Sequence, residues 1–211
     1  VTRIQDPAVP VEALIADPAA QVAAMVPVGA PHPRIPLPRD LYGPGRANSA
    51  GMDLSSEAVL APLAEALRKS AAQPWRAVPL VGGAEGAGDV RAVRNPADRR
   101  DLVGHAVEAN EAEAKRALTI AEAAAPGWRD TPPAERAAHL LRAADLLEQR
   151  MPALLGLIIR EAGKSLANAM AEVREAVDFL RYYGAQVRDS FDNATHRPLG
   201  PVLCISPWNF P

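Results

Sequence analysis

The sequence predicts an α/β fold that is helix-rich over its 211 residues. Four amphipathic patterns at helical spacing between residues 110 and 184 are the first observation. Short strand-like runs on both sides of them are the second, and a proline-rich, irregular stretch over residues 1–50 is the third. Helices interleaved with apolar strands favour layered α/β packing. A strand that is apolar throughout, such as the last one here, needs parallel neighbours. Those neighbours are expected outside these residues.

The elements follow in chain order. Within 1–50, "PVEALIADP" suits one short helix, and "VPVGAPHPRIPLPRDLYGPGRA" reads as an extended, partly polyproline connector. Residues 51–74 read as a linking helix capped by Asp53, with Leu60, Leu63, Ala64, Leu67 and Ala71 on one stripe and Pro74 as its stop. "WRAVPLVGG" reads as a short strand and "AEGAGDV" as a loop; "RAVRNPADRRDLVGHAVEA" reads as two strands joined at Asn95-Pro96. Asn110 with Glu113 marks a capping box for a helix to about Ala125. Pro133 and Pro152 each open a further helix, the second stopped by Gly163, and Ser165 caps a fourth that reaches about Gly184. A polar stretch, "DSFDNATHR", then leads to the strand "GPVLCIS".

Composition narrows the function classes. With 23 basic and 25 acidic residues mixed along the chain, no net field favours nucleic acid or an anionic membrane. Aromatic residues at 4% argue against a base-stacking surface. The single cysteine, Cys204, excludes an internal disulfide and fits a reducing compartment. No apolar run approaches the roughly 20 residues of a membrane span, and no signal-peptide pattern opens the chain. The first residue is Val1 and the last strand pattern stands at the other end, so the reading is of an internal fragment.

Gly163-Lys164-Ser165 fails as a phosphate loop, because Ile158 stands where the first glycine belongs. Neither "VGGAEGAGD" nor "GPGRAN" carries a dinucleotide glycine register. His32, His105, His139 and His196 lack ligand spacing, so no metal is expected. Cys204 reads as a buried, inert thiol amid Val202, Leu203 and Ile205. Asn209, fenced by Pro207 and Pro211 after a strand, leaves two readings open. It is either a preorganised donor to a developing oxyanion or an amide that satisfies its own turn.

At "ISPWNFP" the chain resembles the aldehyde dehydrogenase superfamily, and the likeness runs backwards through "RPLGPVLCISPWNFP", "EAGKSLANAMAEV", "GWRDTPPAERAAHLLRAADLLEQR" and "NPADRRDLVG". Residues 75–211 thereby resemble the N-terminal portion of an aldehyde dehydrogenase-like NAD-binding domain. "TRIQDPAVPVEALIADP" and "RDLYGPGRANSAGMDLSSEAVLAPL" resemble the barrel exit and connector of bifunctional proline-catabolic enzymes. In those enzymes a flavin-dependent proline dehydrogenase precedes the aldehyde dehydrogenase unit. The resemblance implies a parent that uses FAD to form pyrroline-5-carboxylate and NAD to oxidise glutamate γ-semialdehyde, a small-molecule aldehyde, to glutamate. It implies that a cysteine thiolate attacks the aldehyde, hydride passes to NAD, and a glutamate activates the water that releases the acid. It assigns Asn209 to the oxyanion, and Ile205, Ser206, Pro207 and Trp208 to the NAD pocket. The nucleophile and base are expected beyond residue 211, which leaves the fragment alone inactive. The implied parent is a bacterial, cytoplasmic homo-oligomer with no transmembrane segment, and peripheral contact with the inner membrane face stays open. A single-function NAD(P)-dependent aldehyde dehydrogenase and a non-catalytic helical interaction module are the alternatives.

Overall fold

In the computed structural model, residues 2–27, 30–207 and 209–210 are described. The connector is less extended than its prolines suggest. Three short helices precede it, α1 (Thr2–Gln5), α2 (Val11–Leu14) and α3 (Pro18–Ala23), and it holds two 3₁₀ turns itself, Pro38–Asp40 and Gly43–Gly45. The reason is local: proline suits a first helical turn, and Asp17 caps α3 through the Ala19 N–H at 2.9 Å. The helix expected in "PVEALIADP" is α2.

The connector is tied to the body just before the linking helix. The Ser49 N–H and Oγ both reach the Asp178 carboxylate at 2.7 Å, and the Ala50 N–H donates to Glu148 at 2.6 Å. Helix α4 (Glu57–Ala72) follows, one turn later than a cap at Asp53 would set it. Asp53 instead accepts from the N–H and hydroxyl of Ser55, an Asx turn that competes with capping.

The expected strand in "WRAVPLVGG" divides into β1 (Trp75–Ala77) and β2 (Leu80–Val81). Pro79 offers no ladder donor between them. Residues read as a loop supply β3 (Ala84–Glu85), which pairs antiparallel with β2 across Gly82-Gly83. Both glycines have positive φ, +62° and +82°, as a tight two-residue hairpin requires. The pair expected around Asn95-Pro96 forms as β4 (Val90–Arg94) and β5 (Leu102–Val107). With β1 parallel to β5, the sheet order is β1-β5-β4.

Helix α5 (Glu111–Asp130) starts at the expected capping box but runs through Pro126 instead of stopping before it. A proline costs its own N–H bond and strains one carbonyl. On a helix with no buried residue, that carbonyl is free to turn to solvent. Helices α6 (Pro133–Gln149), α7 (Met151–Ala162) and α8 (Leu166–Ser190) complete the body. Helix α8 passes the expected end at Gly184. There the missing side chain permits close packing, since an added Cβ would lie 3.1 Å from Leu141 of α6. The core gathers Leu63, Ala144, Met151, Leu155, Ala169, Val173 and Val177 from α4, α6, α7 and α8.

The last expected strand does not form. Residues 201–207 have no ladder, and Leu203 and Ile205 are 85% and 84% exposed. Cys204, expected to be buried, is exposed as well. The cause is the one that makes parallel strands fully apolar: such a strand is stable between neighbours, and none among the described residues lies beside it.

Candidate functional site

Three motif segments far apart in sequence meet at one corner of the molecule. The first is the Asn95-Pro96 turn, closed by Asn95 N–H to the Asp101 carbonyl at 3.1 Å. Arg160 of α7 reaches Asp101 with two bonds, Nη2 to Oδ1 at 2.5 Å and Nε to Oδ2 at 3.0 Å. Such a fork-to-carboxylate pair fixes orientation as well as charge. It locks the end of α7 to the start of β5.

Arg160, and secondarily Asn95, hold the Asp101 carboxyl down from 3.8 to about 2. A depressed carboxyl contributes stability above its unfolded value, and that contribution is lost as pH falls through the folded one. The expected outcome is a thermal midpoint that drops between about pH 4 and pH 2. Asp101→Asn flattens this part of the profile; an identical slope in that variant contradicts the assignment.

The second segment is the α7–α8 corner. Gly163 ends α7 with φ +67°, beside Pro96. Ser165 caps α8 through the Asn168 N–H at 3.3 Å. Both roles are those expected of the sequence. Between them Lys164 has a contact that no local pattern announces. Its Nζ donates to the backbone carbonyl of Asn209 at 2.6 Å, pairs with Glu172 of α8, and lies 5.1 Å from the Phe210 ring centroid.

The third segment is the turn that carries Asn209. The Phe210 N–H donates to the Pro207 carbonyl at 3.2 Å. Asn209 is exposed, and among the described residues its carboxamide accepts and donates no hydrogen bond. Ile205, Ser206 and Pro207 lie on the same exposed stretch; Trp208 lies outside the described residues. Phe210 borders a small cleft with Glu172, Glu175, Ala176 and Phe179. A larger hollow of about 520 Å³ lies along α8 near Arg46 and Tyr182, and none of the expected site residues lines it.

Residues 84–211 match the sequence model of the aldehyde dehydrogenase family. The chain belongs to that family. Along its whole length it is 55% identical to the bifunctional protein PutA of Klebsiella aerogenes, spanning 16% of that relative. Among solved structures, a Thermus 1-pyrroline-5-carboxylate dehydrogenase with bound NAD is 30% identical, with a TM-score of 0.68 over 78% of this chain and 35% of its own. A variant of Bradyrhizobium japonicum proline utilization A is 33% identical, with a TM-score of 0.62 over 100% of this chain and 19% of its own. This aldehyde dehydrogenase chain thus spans a small part of the length of the relatives it matches. Lys164 and Glu172 both stand in the family-like segment "EAGKSLANAMAEV", but the sequence gives them no role, because the signal that links them to Asn209 is spatial.

Proposed function

We propose that these residues belong to a bifunctional proline-catabolic enzyme and form one side of its NAD-dependent glutamate γ-semialdehyde dehydrogenase site. The whole-chain identity of 55%, connector included, carries this reading.

In this reading Asn209 is the catalytic residue the chain supplies. Its side-chain N–H donates to the aldehyde oxygen as negative charge builds there. Such a donor is most effective when already in place. Ile205, Ser206, Pro207 and Trp208 hold and orient the dinucleotide along one wall, and bound NAD supplies the hydride acceptor. FAD and proline oxidation belong to the other unit of the parent, and no residue of this chain is assigned to them. The parent is further proposed to be a cytoplasmic homo-oligomer.

The test is the NAD-dependent oxidation of glutamate γ-semialdehyde by the full-length protein. The 211-residue chain alone is expected to be inactive, since its single cysteine is exposed beside no assigned base. Failure of the full-length protein to reduce NAD with this substrate, or turnover by the isolated chain, overturns the proposal.

A further inference from the structure

Lys164 occupies the short connection between α7 and α8, and its stem is fixed at the base. Gly163 turns the chain against Pro96 on one side, and the Ser165 cap starts α8 on the other. The ammonium is well sheltered for a lysine, with its side chain 19% exposed and that of Glu172 13% exposed. An ammonium has three donors. Here one goes to Glu172 and one to a backbone carbonyl 45 residues away.

Among the described residues, that second bond is the only hydrogen bond between residues 198–210 and the rest of the chain. We propose that Lys164, oriented by Glu172, is a positioning residue for aldehyde oxidation: it clamps the main chain at Asn209 so that the carboxamide points at the reacting oxygen. The inference rests on the role assigned to Asn209 above.

The physical argument is one of tolerance. A catalytic donor must be held to within about half an ångström, and a displacement of about 1 Å can cost 10²-fold. Two covalent bonds separate the Asn209 carbonyl carbon from its Cβ, so fixing that carbonyl fixes the root of the side chain. Glu172 neutralises the ammonium and holds it in line with the carbonyl. The Phe210 face shields the cation from water.

The experiment is a double-mutant cycle in the full-length enzyme. Lys164→Met, Asn209→Ala and the double variant are compared for kcat, for KM of semialdehyde and NAD, and for thermal midpoint. Lys164→Met is expected to lower kcat about 10- to 100-fold. In the Asn209→Ala background the same change has little further effect, because the group it positions is gone. Lys164→Arg, which retains the charge, recovers part of the rate. Should Lys164→Met fail to fold, Glu172→Gln takes its place in the same cycle. The clamp is overturned if kcat of the single variant stays within about twofold of the parent, or if the loss is equally large without Asn209. If Asn209→Ala itself keeps the parental rate, the role of Asn209 fails, a result distinct from failure of the clamp alone.

Discussion

Asn209→Ala in the full-length enzyme is expected to lower kcat for glutamate γ-semialdehyde about 10²- to 10³-fold, with KM for NAD changed by less than about threefold. The split follows from what the carboxamide does. It is exposed and free of internal hydrogen bonds among the described residues, so truncation leaves no buried group unsatisfied. Folding should therefore be unaffected, and the loss falls on the step in which oxygen gains charge. A donor needed only in that step contributes little to ground-state binding of the cofactor. Asn209→Asp should be at least as damaging, because a carboxylate brings an acceptor and a negative charge to the place where a donor is required. An equal rise in KM for both ligands with kcat retained would instead mark Asn209 as a binding residue.

Arg181→Met is expected to destabilise the 211-residue chain by about 3 kcal/mol. For a chain of this size that lowers the thermal midpoint by roughly 6–12 °C. Arg181 is 6% exposed within α8. Its Nη2 donates to Glu148 at 2.7 Å and to Asp145 at 3.0 Å, while Nη1 donates to the Asn48 carbonyl at 3.4 Å. Glu148 meanwhile accepts the Ala50 N–H. Removing the guanidinium strands a sheltered carboxylate and takes away one tie of the connector, the bond to the Asn48 carbonyl, while those of Ser49 to Asp178 and Ala50 to Glu148 stay. Breaking a buried pair from one side is the costly case, even where replacing both partners is nearly neutral. Glu148→Leu in the Arg181→Met background should therefore recover part of the loss. A midpoint unchanged in the single variant would contradict this cost and show that the remaining ties, Ser49 to Asp178 and Ala50 to Glu148, suffice.

Local chemistry was largely legible in the sequence. The apolar stripes placed α4, α6, α7 and α8, the Asn110–Glu113 box started α5, and Gly163 with Ser165 marked the α7–α8 corner. Elements whose ends depend on surroundings were misread. Pro126 is passed because α5 buries no residue there, and Gly184 serves packing against Leu141 rather than a helix stop. The strand pattern in "GPVLCIS" expresses a preference that becomes structure only between neighbouring strands. For the site, the motif around Asn209 identified the residue. It gave no hint of Lys164, whose local reading as a residue between a glycine stop and a cap is correct and incomplete. Ties such as Ser49 to Asp178, 129 residues apart, likewise leave no periodic trace.

The most direct measurement is the single-turnover rate of NADH formation by full-length enzyme preloaded with NAD, with and without the Asn209 carboxamide. The account predicts that the burst of the Asn209→Ala variant is slowed about 10²-fold or more, at an unchanged thermal midpoint. A burst of parental rate would contradict it.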